Sequence, residues 1–158
     1  MLVCEPSCAS ALTDDLPDLI EDADLANSLK TQVIMIDVFI QEEIEVGNIQ
    51  QVLKTKAKNI FIHGHCHQKA IYGTKAMKHL LSDTNVAEIP SGCCGMAGSF
   101  GYEKEHYELS EKIGNEILLP FVKEMKTDDT LVACGFSCRH QIEHFTGKKA
   151  VHWVELFK

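Results

Sequence analysis

Four short apolar runs, at residues 1–3, 59–62, 85–89 and 130–133, are too brief for helices and bounded by polar or turn residues, so they read as buried strands. The stretches between them carry a helical period. Residues 71–81 place Ala76, Met77, Leu80 and Leu81 on one face, and residues 103–125 place Leu109, Ile113, Ile117 and Phe121 at successive steps of four. Pro120 is expected to kink or end the second of these helices. Segments 12–29 and 34–46 also read as helical, and 150–156 as a last short strand or extended tail. Strands separated by helices predict an α/β fold: a small, mostly parallel sheet with right-handed crossovers and helices on both faces.

Placed on that pattern, the seven cysteines follow the strands. Cys4 and Cys8 come after the first, Cys66 after the second, Cys93 and Cys94 after the third, and Cys134 and Cys138 after the fourth. In a parallel sheet the carboxyl ends of the strands share one edge, where open α/β sheets build their ligand sites. The expectation is therefore a set of cysteine loops gathered at the carboxyl edge.

Composition narrows the chemistry. Acidic residues outnumber basic ones, 23 to 15, for a formal charge of -8, which disfavours a nucleic-acid partner. No apolar run approaches the roughly 20 residues of a transmembrane helix, and the start of the chain lacks the basic and apolar regions of a secretory signal. The reading is a cytoplasmic chain. In a reducing compartment, clustered cysteines serve more often as metal ligands or redox thiols than as disulfides.

The chain also repeats itself. Val3-Cys4-Glu5-Pro6-Ser7-Cys8 matches Ala133-Cys134-Gly135-Phe136-Ser137-Cys138, and Met35-Ile36-Asp37-Val38-Phe39 echoes Trp153-Val154-Glu155-Leu156-Phe157. The expectation is two copies of one unit: residues 1–45 as the tail of a truncated first copy and 46–158 as a complete second copy, packed as one globular piece of a longer protein.

Three motifs carry chemistry. His63-Gly64-His65-Cys66-His67 concentrates three imidazoles and a thiol that suit zinc or iron, with any of the histidines, His65 and His67 foremost, either a ligand or a hydrogen-bond donor to a bound group. Gly92-Cys93-Cys94-Gly95-Met96-Ala97-Gly98-Ser99-Phe100-Gly101 lets backbone amides approach a bulky inorganic group, and its adjacent cysteines are too close for an ordinary disulfide with each other. It lacks the lysine and hydroxyl of a phosphate loop. Cys134 and Cys138 span a tight turn into a helix expected to begin near Ser137, whose amino terminus favours thiolate. No dinucleotide fingerprint is present.

Cys66 within His65-Cys66-His67, the Cys93-Cys94-Gly95 run and the Cys134 and Cys138 pair resemble the cysteine-rich CCG domain of heterodisulfide reductase, of the iron–sulfur subunits of glycolate oxidase and anaerobic glycerol-3-phosphate dehydrogenase, and of flavin-linked D-lactate dehydrogenase-like proteins. The wording of Gly92 to Glu103 and of Ser137-Cys138-Arg139-His140-Gln141-Ile142-Glu143 is similar to the carboxyl end of flavin-linked D-2-hydroxy acid dehydrogenases. This resemblance implies an iron–sulfur cluster, of a non-cubane four-iron type, held by Cys66, Cys93, Cys94, Cys134 and Cys138, with Cys4, Cys8, His65 and His67 as further candidates. Zinc is the alternative metal. Two departures stand out: the last pair is separated by three residues rather than two, and the first unit has no Cys-Cys pair. The implied function is electron transfer in an FAD-linked oxidase of a small 2-hydroxy acid, with FAD and the oxidation step outside this chain. The implied partners are a flavin-binding domain or subunit, which could bring the chain to the inner face of the membrane, and a downstream electron acceptor. A homodimer of the fragment is also expected, through apolar surface near residues 1–3. The alternatives are a disulfide-cleaving cluster of the heterodisulfide reductase type, and a zinc-bound or metal-free domain that docks a flavin partner.

Overall fold

The computed structural model describes residues 1–50, 55 and 57–157. The chain divides into two units. The first comprises Met1–Gln51 and His67–Leu80, and the second Val52–Cys66 and Leu81–Lys158.

In the first unit β1 (Leu2–Val3) pairs in parallel with β2 (Ile34–Met35). The sequence pattern predicts a helix from residue 34; instead Ile34 and Met35 stay extended, and α3 (Ile36–Glu45) starts two residues later. The helix expected over 12–29 is broken into pieces. A short helix α1 (Pro6–Ser10) runs through a wide turn at Ala11–Asp15 and a 3₁₀ turn at Pro17–Leu19 before α2 (Ala23–Gln32) begins. Pro17 cannot donate the hydrogen bond that a continuous helix needs there. The carboxylate of Asp22 then restarts the helix by accepting from the amides of Asp24 and Leu25. Val3, Ala9, Val33 and Met35 form a small core, closed by Leu12, Val38 and Tyr72. The helix expected over 71–81 is shorter than predicted. A wide turn at Gln68–Tyr72 ends at Gly73, and α4 (Lys75–Leu80) follows, burying Ala76, Met77 and Leu80 from the predicted face.

The second unit is built on a three-stranded parallel sheet, with β3 (Asn59–His63) between β4 (Asn85–Glu88) and β5 (Asp129–Ala133). The strands expected to share one sheet thus lie in two, because β1 finds its partner in Ile34–Met35. A central parallel strand is covered on its faces and reads as continuously apolar, which fits the complete burial of Ile60 and Ile62. The tail at 150–156 contributes a single parallel bridge, Val151 to Val132, followed by a 3₁₀ turn at Trp153–Leu156 that buries Trp153.

At the amino ends of these strands the side chains form an amide ladder. Asn85 Nδ2 donates to Asn59 Oδ1 at 2.7 Å, and Asn59 Nδ2 donates to Asp129 Oδ1 at 2.7 Å. The Asn59 bond holds the Asp129 carboxyl below its usual range, aided by the Lys126 amide. The ladder pins the register of all three strands at one end and leaves the other end to the cysteines.

The helix expected over 103–125 is two helices, α5 (Tyr107–Asn115) and α6 (Leu118–Glu124), separated by Ile117 at φ -143. Proline at position 120 has no N–H to give the carbonyl of Glu116, so the chain breaks before it and Pro120 sits in the first turn of α6, where no donor is required. The break rotates the apolar face. Leu109 and Ile117 are exposed, and Ser110, Gly114, Leu118, Leu119 and Val122 are buried in their place. The core joins Ile89, Met96, Leu118, Val122, Leu131, Ala133 and Ile142 to the sulfurs of Cys94 and Cys138, with Phe61 and Phe121 edge-to-face at 5.1 Å alongside. Among the described residues no helix is long and apolar enough to cross a membrane.

Candidate metal centre

Three strand ends of the second unit converge on one cluster of soft ligands. β3 ends on His63 and leads to Cys66; the loop after β4 carries Cys93 and Cys94; and β5 leads through Cys134 into α7 (Phe136–Thr146), with Cys138 in its first turn. The Sγ atoms of Cys94 and Cys138 and a ring nitrogen of His63 lie within 4.8 Å of one another, and all three residues are buried. This is the one such trio found among the described residues.

The thiols continue the array. Cys66 and Cys94 both donate to the sulfur of Cys93, and these two bonds are the main reason its thiol sits far below the usual thiol range. The amide of Gly95 adds a third donor to that sulfur, at 3.3 Å. Cys94 is driven the other way: it keeps its proton because it donates first to Cys138 and then to Cys93, and burial reinforces the effect. Cys138 is held low by that bond from Cys94 despite its own burial, with the imidazoles of His63 and His65 helping. Its place in the first turn of α7 adds the dipole of the helix. Without metal, then, Cys93 and Cys138 are biased toward thiolate and Cys94 toward thiol. Such an array gathers negative charge in a low-dielectric pocket, and a cation offsets that cost.

Local sequence explains the positions. Gly95 takes φ +95, and a Cβ there would collide with the carbonyl of Ser110 and come within 3.2 Å of Gln141 Nε2. The Cys93-Cys94 turn can therefore lie flat against α5 and α7. Gln141, itself fully buried, donates Nε2 to Ser110 Oγ at 2.8 Å and to the Ser110 carbonyl at 3.3 Å, tying the same two helices together beside the turn. Gly135 serves the other side: a Cβ there would sit 3.0 Å from Cys138 Sγ and 3.1 Å from His65 Nε2. This places the buried ring of His65 against the cysteine loop.

Of the residues singled out from sequence, Cys66, Cys93, Cys94 and Cys138 are free thiols linked by hydrogen bonds, and His65 flanks them. Cys134 is buried at the carboxyl end of β5, and its backbone carbonyl accepts from Arg139 Nη1 at 2.6 Å. Cys4, Cys8 and His67 belong to the first unit, where both cysteines are exposed. Cys8 and Cys138 lie within helices rather than on loops. His63 is the ligand candidate that the sequence does not single out from its neighbours. Within its motif it reads only as one of three imidazoles; its distinguishing signal is its position, the ionisable residue that follows the apolar run Ile60–Phe61–Ile62 at the carboxyl edge of the central strand.

Over 99% of its length the chain is 24% identical to a subunit of the anaerobic glycerol-3-phosphate dehydrogenase of Escherichia coli strain K12. It is a relative of an oxidoreductase-associated domain. Shorter stretches match D-2-hydroxyglutarate dehydrogenases, at 26% identity over 76% of the chain for that of Pantoea ananatis and 33% over 42% for that of Pseudomonas putida. The chain spans 39% of the length of the glycerol-3-phosphate dehydrogenase polypeptide, and 12% and 6% of those two hydroxyglutarate dehydrogenases. No family model matches the sequence, and no solved structure matches it. The cysteine-rich centre is thus a candidate metal site in a chain akin to parts of dehydrogenases.

Proposed function

We propose that this chain is an iron–sulfur electron-transfer domain of a flavin-linked oxidoreductase acting on a small 2-hydroxy acid, with the cluster held in the second unit by Cys66, Cys93, Cys94, Cys134 and Cys138. The observation that carries this reading is the run of four hydrogen-bonded thiols at the carboxyl ends of three parallel strands, with Cys94 and Cys138 buried and Cys66 and Cys93 half-buried. The donor set fits the group: thiolates preformed by their neighbours, a backbone amide aimed at one sulfur, and a buried imidazole among them. A bound cluster supplies one-electron transfer. The protein supplies burial, thiolate character and amide hydrogen bonds, which together set the potential at which an electron is held. The kinship with dehydrogenase polypeptides supports a context that the proposal fills in: a flavin-binding domain or subunit as donor, a further carrier as acceptor, and a cytoplasmic place, at the inner membrane face where a partner provides the attachment. In this reading Cys4 and Cys8, on the first unit, belong to the other copy of the repeat and take no part in the cluster. The first unit's apolar edge, including the exposed Met1 and Leu2, is the surface for a second copy.

One observation favours a second reading. Ligand atoms within 4.8 Å of one another suit a single tetrahedral ion, whose sulfur ligands at about 2.3 Å from zinc lie close to that spacing. A structural zinc would make the domain a docking module. Iron and sulfide analysis of Cys94→Ser and Cys138→Ser, beside a Cys4→Ser/Cys8→Ser double variant, separates the assignments. The proposal expects iron to fall to a small fraction in the first two and to stay unchanged in the third. Full iron content in both single variants overturns it.

A further inference from the structure

His63 has a feature that the thiol array does not explain. Its ring is 1% exposed, and its Nδ1 is hydrogen-bonded to Ser91 Oγ at 2.8 Å. Its Nε2 is buried and has no well-formed hydrogen bond among the described residues; what the ring offers there faces the sulfur of Cys138, whose thiol it helps hold low. A buried ring nitrogen with only a sulfur to face is weakly satisfied, and a metal shared with that sulfur satisfies both. The ring stands in the tight trio with Cys94 and Cys138, on the last residue of the central strand.

We infer that His63 is an imidazole ligand to the metal group of this centre through Nε2, and that Ser91 is a positioning residue that engages Nδ1 and so turns the other nitrogen toward the sulfurs. Metal-bound histidines commonly make such a bond with their second nitrogen, which fixes both tautomer and ring orientation. The inference rests on the reading that the second unit binds metal, and it deepens that reading: the ligand set is mixed, sulfur and nitrogen, rather than thiolate alone. In iron–sulfur centres an imidazole in place of a thiolate raises the reduction potential, so His63 would make this centre a readier electron acceptor than an all-cysteine site. The rival role is a hydrogen bond from Nε2–H to the Cys138 sulfur, with no bond to metal.

Protein labelled with ¹⁵N only at histidine, reconstituted anaerobically with iron and sulfide, distinguishes the two by pulsed electron paramagnetic resonance of its paramagnetic state. Ligation gives a strong nitrogen coupling that disappears in His63→Cys. A weak coupling typical of an outer hydrogen bond, or a strong one that survives His63→Cys, overturns the inference. If no iron–sulfur group assembles, the proposed function fails while the ligand assignment is still decided with zinc alone. X-ray absorption then shows a nitrogen at about 2.0–2.1 Å that is lost in His63→Cys, or an all-sulfur shell that overturns the assignment. A folded protein that takes up neither overturns both. Ser91→Ala is expected to retain the nitrogen coupling and weaken metal affinity about 10–100-fold, with Ser91→Thr restoring it. Unchanged affinity in Ser91→Ala removes the positioning role.

Discussion

Replacing Gly95 by alanine tests how tightly the paired-cysteine turn is built. Two costs add. The residue sits at φ +95, and a left-handed conformation costs a non-glycine residue about 1–2 kcal/mol. The new Cβ also meets the backbone carbonyl of Ser110, which belongs to α5 and cannot swing aside as a flexible side chain could. Overpacking of this kind costs about 1–3 kcal/mol. Together they make about 2–5 kcal/mol, and in a chain of this size each kcal/mol lowers Tm by roughly 2–4 °C, for a fall of about 4–20 °C. Gly98 is the control: it too has positive φ, at +70, but a Cβ there meets nothing within 4 Å. Gly98→Ala should incur only the conformational cost, about 1–2 kcal/mol. Calorimetry of both variants, with metal content measured alongside, gives the comparison. The larger Tm loss belongs to Gly95→Ala, together with reduced metal loading, because relieving the clash shifts Cys93 and Cys94 away from Cys138. Equal Tm losses with full metal content in both variants would refute the close packing of this turn.

Three other outcomes follow from the same geometry. In metal-free protein the depressed pKa of Cys93 keeps its thiolate at pH values where an ordinary thiol is protonated, and that thiolate is lost only as pH falls through the lowered value. Alkylation of Cys93 by iodoacetamide, mapped by mass spectrometry, should be nearly flat from pH 8 to pH 6, whereas an ordinary thiol of pKa about 8.5 slows close to tenfold per unit well below that value; a tenfold-per-unit loss at Cys93 would refute its bias toward thiolate. Gln141→Ala strands the Ser110 hydroxyl and opens a cavity between α5 and α7, so the denaturation midpoint should drop by the equivalent of about 1–3 kcal/mol, and an unchanged midpoint would show that the bond contributes nothing. Metal removal should leave the far-ultraviolet circular dichroism largely intact, because the core of Ile89, Leu118, Val122, Leu131 and Ile142 is apolar in its own right; wholesale unfolding would indicate a structural metal instead.

The strands are legible because short apolar runs such as Ile60–Phe61–Ile62 have no helical reading, and their carboxyl edge follows from the parallel pattern. Ile34–Met35 is not legible, since two extended residues at the head of a helix leave no periodic signal, and with them goes the division into two sheets. The face of α5 and α6 is misplaced by a steps-of-four count because that count assumes a continuous helix, whereas the missing amide of Pro120 breaks it at Ile117 and re-phases everything after. At the site, the cysteines of the second unit announce themselves by spacing. His63 does not, because its meaning depends on burial, on the bond to Ser91 and on the nearness of its ring to two sulfurs, none of which a linear motif carries. The direction of each thiol's pKa is equally hidden: Cys93 and Cys94 are neighbours in sequence, yet one is driven toward thiolate and the other toward thiol by which sulfurs they face.

The central claim is that the second unit assembles an iron–sulfur group on its thiol array. Anaerobic preparation followed by visible absorption, iron and acid-labile sulfide analysis addresses it most directly. The account predicts broad absorption bleached by dithionite, with iron and sulfide present together in the wild-type chain. A colourless protein that carries a single zinc and no sulfide would contradict it.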